Sequence, residues 1–262
     1  MLFAVDIGNT NIHIGVFAND QLRASFSLGL DARRTADEYT ALLRAVALDK
    51  GVVLKEITGV VLGSVVPTVT PVFLTALKML FDMPVTVIGP GVKTGFSIRL
   101  DNPAELGADL AANAAGALAL VGAPVMIIDF GTATTVIAVD ERSALQGGAI
   151  MPGVDMSLRA LGGTALLPDV PACGAVEALG KNTPDCMRAG VVRGGAMAAY
   201  GLAEHYKRIL KLPMNTPLVV CGGFAAAMRA YLPANAQHIP ELTLCGLAAI
   251  YRLNQKPESK KE

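Results

Sequence analysis

The sequence predicts an α/β protein built as two equivalent halves, and three observations predict it. The pattern Asp-x-Gly-x-(Thr/Ala) occurs twice, in Leu2 to Phe17 around Asp6 and Gly8 and in Val125 to Val139 around Asp129 and Gly131. Each copy ends one apolar run that reads as a strand and precedes a second. Superposing Asp6 on Asp129 without a gap also aligns Gly8 with Gly131, Ile14 with Ile137 and Val16 with Val139. Finally, 262 residues at 52% hydrophobic content can bury two cores of substantial size.

The elements follow in order. After the first hairpin, Gln21 to Leu30 continues as a third antiparallel strand. Arg34 to Asp49 has helical spacing, with Thr35 at the N-cap and Glu38 at the capping-box position. Ile57 to Ser64 is a short β-branched run ending Gly-Ser, the pattern of a buried parallel strand leading into a site loop. Pro67 and Pro71 open a helix through Phe81, Pro84 to Gly89 is another buried strand, and Gly91 to Pro103 is loop and edge material. Three strands, helix, strand, helix, strand is the order of a ribonuclease H-like unit. It begins again at Val125, with Gln146 to Ile150 as the third strand and Gly153 turning the chain into a helix. Asn182 or Thr183 caps a long helix with Pro184 at N1, ending near Lys211. Leu218 to Gly223 is a buried strand, an Ala-rich helix follows it, and Glu241 to Arg252 is the last helix. The expected domains are 1–118 and 119–254, with 255–262 a disordered polar tail.

Lys and Arg together number 22, as do Asp and Glu, so no net field draws nucleic acid or an anionic membrane. The N-terminal run lacks a basic leader and reads as a core strand, and the apolar stretch 111–125 is interrupted by Gly116, Gly122 and Pro124. A cytoplasmic protein without membrane or nucleic-acid partners is expected. The four Cys have no C-x-x-C spacing and read as reduced, small apolar residues. His13, His205 and His238 read as structural or solvated: His13 in a strand, His205 in a helix and His238 in a loop.

A tight turn of Gly, Asn, Thr and Ala aims backbone N–H groups at one point, where a phosphate can sit. Gly8, Asn9, Thr10 and Asn11 form the first such turn, and Gly131, Thr132, Ala133 and Thr134 the second. Asp6 and Asp129, at the strand ends, can hold hydrated Mg²⁺ beside those phosphates. Neither hairpin carries Lys or Arg, which predicts strict metal dependence. Phosphoryl transfer also needs a group that orients the acceptor hydroxyl and takes its proton. Asp109, in Glu105-Leu-Gly107-Ala108-Asp109-Leu110, is the candidate, although the helix dipole alone also favours an Asp in a first turn. Gly222 and Gly223 end a strand without side chains, where a flat adenine could approach the backbone or a helix could pack.

Taken together, Asp6 to Asn11, Gly107-Ala-Asp109, Asp129 to Thr135, Gly147 to Gly153, Gly180 to Thr183 and Gly222-Gly223 resemble, in order and spacing, the motifs of type III pantothenate kinases. The resemblance covers residues 1 to 252. It implies the duplicated fold of acetate and sugar kinases, Hsp70 and actin, and ATP-dependent phosphorylation of pantothenate, the first step toward coenzyme A. It implies a base at Asp109, metal and phosphate contacts at Asp6 and Asp129, and a pantothenate contact at Thr183. A homodimer and a monovalent cation, K⁺ or NH₄⁺, are implied as well. Two positions depart from the family pattern. Leu110 stands where an Arg that helps bind the acceptor carboxylate is expected, and Leu100 where a Tyr is usual. Gly107, Ala108, Leu110 and Leu100 accompany Asp109 as expected acceptor-side residues. Two other readings stay open at this point: a kinase for another small alcohol, and a nucleotide-binding module without catalysis.

Overall fold

A computed structural model describes residues 1–174 and 176–255. In chain order the elements are β1 Leu2–Ile7, β2 Asn11–Ala18, β3 Gln21–Gly29, α1 Ala36–Asp49, β4 Gly59–Ser64, α2 Thr70–Phe81, β5 Val85–Val87, β6 Ser97–Ile98 and α3 Ala108–Leu120. Then come β7 Val125–Phe130, β8 Ala133–Val139, β9 Ala144–Pro152, α4 Val154–Gly162, α5 Thr183–Arg188, α6 Gly194–Ile209, β10 Leu218–Cys221, α7 Ala225–Met228, β11 Gln237–His238 and α8 Leu242–Leu253.

Two compact units result. Unit 1 holds residues 1–96, 102–119 and Leu242 onward; unit 2 holds 97–101 and 120–241. Neither unit is a continuous stretch of the chain. Ser97 and Ile98 pair in parallel with Ala144 and Leu145 at the edge of unit 2's sheet. Helix α8, expected in the second half, belongs to unit 1, because its apolar side chains fill glycine gaps in that sheet. Leu244 lies against Gly15, Leu247 against Gly63 and Tyr251 against Gly59. Most of the expected tail, residues 256–262, lies outside the described residues.

Unit 1's sheet has the order β3-β2-β1-β4-β5, with the first three strands antiparallel and β4 and β5 parallel to β1. Period-two alternation sorts the residues of β1. Phe3, Val5 and Ile7 enter a core with Tyr39 and Leu43 of α1 and Phe73 and Leu77 of α2. Leu2 and Ala4 face the other way, onto Ala108 and Ala112 of α3 and Leu244 and Leu247 of α8. Asp6 continues this second set. Helix α1 starts where the capping box placed it: Glu38 N–H donates to Thr35 Oγ1 at 3.3 Å and Thr35 N–H donates to Glu38 Oε2 at 2.7 Å. Strand β5 is a correction. The run 84–89 reads as buried, yet β5 is a three-residue strand with Val87 exposed, at the edge of the sheet among the described residues.

Unit 2 repeats the order as β9-β8-β7-β10-β11, with β6 added beside β9. The repeat is real, but the gapless superposition of the second strands is not. In unit 1, Val5 pairs with Ile14; at the equivalent place in unit 2, Ile128 pairs with Val136. The second turn is one residue shorter, so Ile14 corresponds to Val136 and Val16 to Ala138, rather than to Ile137 and Val139. Two independent features agree. Ile14 and Val16 enter the helix-covered core of unit 1, as Val136 and Ala138 enter that of unit 2. A β-bulge falls between Val16 and Phe17 and again between Ala138 and Val139.

The long helix of unit 2 starts at Asn182, whose Oδ1 accepts from Asp185 N–H at 3.0 Å, and runs through a π turn at Ala189–Arg193 into α6. The Ala-rich helix shrinks to the four residues of α7, and His238 lies in β11 rather than in a loop. None of the four cysteines is in a disulfide; Cys221 is buried, and Cys173 and Cys186 are exposed.

Candidate active site

Within unit 1, the first turn closes through Gly8 N–H donating to Asn11 O at 3.0 Å, leaving Asn9, Thr10 and Asn11 exposed at the strand ends. Asp6, half-buried, stands opposite Gly63 in the parallel β1–β4 pair. Gly63 also meets the start of α3: a Cβ there would lie 3.6 Å from Ala108 Cβ. The face of β1 that carries Asp6 is therefore the face on which α3 begins, and Asp109 is the second residue of that helix.

Asp109 is half-buried, and its Oδ1 accepts from Leu110 N–H at 2.8 Å. Burial raises its carboxyl above the ordinary carboxylate value, because desolvation outweighs the backbone hydrogen bonds that favour the charged form. A carboxylate held in this way is a better proton acceptor than a solvated one. Gly107 gives it room: a Cβ there would stand 2.5 Å from Asp109 Oδ1. Leu110 is half-buried beside it.

The loop after β4 completes this side. Val65 N–H donates to Ile7 O at 3.1 Å, and Ser64 Oγ accepts from Val66 N–H at 3.1 Å and shares a hydrogen bond with Thr70 Oγ1 at 2.7 Å. Val65 Cγ1 lies 3.8 Å from where a Gly107 Cβ would be. The Gly-Ser pair ending an apolar run signalled a site loop, but only the parallel register shows that Ser64 and Val65 follow directly on Asp6's neighbour.

Within unit 2, Gly131 N–H donates to Ala133 O at 3.1 Å to close the shorter turn, and Thr132 is exposed at its tip. Thr134 is buried and takes the place that the core residue Ile12 has in unit 1. Asp129 is half-buried at the end of β7, and backbone crowds it: a Cβ on Gly131 would come 3.3 Å from its Oδ1, and one on Gly222 would collide with that oxygen. Gly222 has φ +94° and Gly223 has open space around it. The first glycine is thus required by close packing, and only the second leaves room for a flat group. Gly153 is likewise needed for packing rather than for a left-handed turn: its φ is −72°, but a Cβ would strike the carbonyl oxygens of Gly131 and Thr132. Thr183 is exposed at the start of α5, and Leu100 lies against Gly147, with Leu100 Cδ2 3.8 Å from where its Cβ would be.

The structure therefore gathers Asp6, Gly8 to Asn11 and Gly107 to Leu110 in unit 1. Leu100, Asp129, Gly131 to Thr134, Thr183, Gly222 and Gly223 belong to unit 2, where Gly131 and Gly222 lie against Asp129 and Leu100 lies against Gly147.

A profile of the type III pantothenate kinase family matches residues 2–205. The chain belongs to that family. The type III pantothenate kinase of Moorella thermoacetica is 41% identical over 97% of this chain and all of its own length. That of Dehalococcoides mccartyi strain 195 is 39% identical over 97% of this chain and 98% of its own. Among solved structures, a conserved Campylobacter jejuni protein named for the Baf family of transcriptional activators superposes with a TM-score of 0.60 at 17% identity, covering 96% of this chain and 98% of its own, which bears on the fold alone. The fold is the duplicated ribonuclease H-like one. No described helix is long and apolar enough to cross a membrane.

The site chemistry of a kinase also calls for a divalent cation. Among the described residues no three His, Cys, Asp or Glu side chains gather into a metal cage. Mg²⁺ at a nucleotide is held by one or two carboxylates, phosphate oxygens and water. Asp6 and Asp129, each half-buried at a strand end beside a glycine turn, are suited to that use.

Proposed function

We propose that this chain transfers the γ-phosphoryl group of ATP to the primary hydroxyl of pantothenate, giving 4′-phosphopantothenate, the first step of coenzyme A biosynthesis. The observation that carries the residue assignment is Asp109: a desolvated carboxyl in the first turn of α3, on the face of unit 1's sheet that also carries Asp6. Asp109 accepts the proton of the acceptor hydroxyl as the phosphoryl group leaves ATP, late in a loose transition state. Backbone N–H groups of Gly8 to Asn11 and Gly131 to Thr134 hold phosphate oxygens, and Gly222 and Gly223 border the adenine. Asp6 and Asp129 would each serve as a carboxylate for Mg²⁺, which would neutralise charge on the phosphates. Gly107, Ala108, Leu110, Leu100 and Thr183 contact the acceptor.

Family resemblance supports a requirement for K⁺ or NH₄⁺, a homodimer and a cytoplasmic location. The test is to incubate the protein with ATP, Mg²⁺, K⁺ and pantothenate and identify the product by mass, with an EDTA-treated arm. Phosphopantothenate that disappears with EDTA is expected, and its absence in the presence of Mg²⁺ would overturn the assignment.

A second acceptor is favoured by one observation. Leu110 and Leu100 replace polar residues of the family pattern, which suits a small alcohol lacking a carboxylate. A panel of pantetheine-like and sugar alcohols in the same assay separates the two.

A further inference from the structure

We propose that Thr243 and Gly246 of α8 are positioning residues for Asp109, acting through Asn113 and Gly116 of α3; this rests on Asp109 being the base. Helix α3 reads Ala-Asp-Leu-Ala-Ala-Asn-Ala-Ala-Gly-Ala-Leu-Ala-Leu, and its buried seam is almost entirely Ala and Gly. Such a seam offers few side-chain knobs to fix how far the helix slides or rotates on its neighbour. The polar group in it is Asn113, fully buried and one turn beyond Asp109 on the same side of the helix. Thr243 Oγ1 donates to Asn113 Oδ1 at 2.7 Å.

Three residues further along each helix, backbone meets backbone. A Cβ on Gly116 would stand 2.5 Å from Leu242 O and 3.1 Å from Gly246 N, and a Cβ on Gly246 would collide with Ala112 O. The directional bond and the glycine contact together leave α3 one height and one rotation. Helix α8 is in turn set on the sheet by Leu244 at Gly15 and Leu247 at Gly63, the residue opposite Asp6. Through α8, the helix that carries the base is referenced to the strand that carries Asp6, from a segment remote in sequence from both.

Steady-state kinetics of Thr243→Val and Thr243→Ser test this, with Thr35→Ala in the α1 capping box as a control that lowers stability away from the site. Loss of a buried hydrogen-bond donor predicts a fall in kcat of about fivefold to a hundredfold for Thr243→Val. KM for ATP should stay within about twofold, Thr243→Ser should restore kcat, and Thr35→Ala should keep it. If Thr243→Val does not fold, Thr243→Ala, which only removes atoms, carries the same expectation. Unchanged kcat in the valine or alanine variant, or a fall matched by Thr35→Ala at equal melting temperature, overturns the proposal. Asp109→Asn separates the two levels: an inactive Asp109→Asn beside an unimpaired Thr243 variant refutes the positioning role alone, whereas an active Asp109→Asn refutes the base assignment.

Discussion

The carboxylate of Asp109 occupies the space that a side chain on Gly107 would need, its Oδ1 lying 2.5 Å from where that Cβ would stand. Real Cβ contacts do not become that short, so Gly107→Ala must rotate Asp109 and disrupt the hydrogen bond from Leu110 N–H. A misplaced base costs rate at roughly tenfold per 1.4 kcal/mol. The expected result is kcat lowered by about tenfold or more, with KM for ATP nearly unchanged and the circular-dichroism spectrum intact.

Burial that raises the Asp109 carboxyl also leaves a signature in stability. Between its ordinary value of 3.8 and its raised value, the folded state binds more protons than the unfolded state, so this residue makes stability fall as pH rises through that window. Above the window the full penalty of a buried charge remains. Asp109→Asn lacks the penalty. Urea titrations should find the variant more stable than the wild type at pH 8, with the gap constant above the window and narrowing as pH falls through it toward 3.8; a gap that does not change with pH would mean that Asp109 is solvated.

Leu110 takes a position where the family pattern has an Arg for the acceptor carboxylate. A charge-assisted hydrogen bond contributes about 1.5–3 kcal/mol, or roughly 10- to 150-fold in affinity. Leu110→Arg is therefore expected to lower KM for pantothenate within that range while leaving KM for ATP alone. A raised KM would show that the acceptor here is held differently.

Gly222 has φ +94° and fits against Phe130, where a Cβ would come 2.5 Å from the carbonyl carbon and 2.7 Å from the nitrogen. Gly222→Ala adds a left-handed penalty of about 1–2 kcal/mol to that overlap. Chemical denaturation should register a loss of about 2 kcal/mol or more, together with weaker ATP binding, since the displaced backbone borders Asp129. Gly223→Ala, with open space around it, should keep stability and change nucleotide affinity alone.

The local chemistry of the chain announces most of these parts. Thr35 and Glu38 cap α1 as a capping box should, and Asp-x-Gly marks both hairpin corners because turn chemistry is written in adjacent residues. What depends on contacts between distant residues is less legible. The second turn lost one residue, which no apolar pattern reports, since Ile137 and Val139 are as apolar as Val136 and Ala138; only pairing shows that the latter two match Ile14 and Val16. Helix α8 reads as the last helix of the second half, and its membership of unit 1 is set by the glycines at 15, 59 and 63, which become sockets only when the sheet forms. Gly153 and Gly222 look alike in sequence, yet one is extended and the other left-handed.

The most direct test of the central claim, that Asp109 takes the proton of pantothenate, is pantothenate-dependent ADP release by wild type and by Asp109→Asn, with MgATP and K⁺ and with ATP binding measured in parallel. The account predicts turnover in the wild type only, with ATP bound nearly equally by both. An Asp109→Asn variant that turns over at the wild-type rate contradicts it.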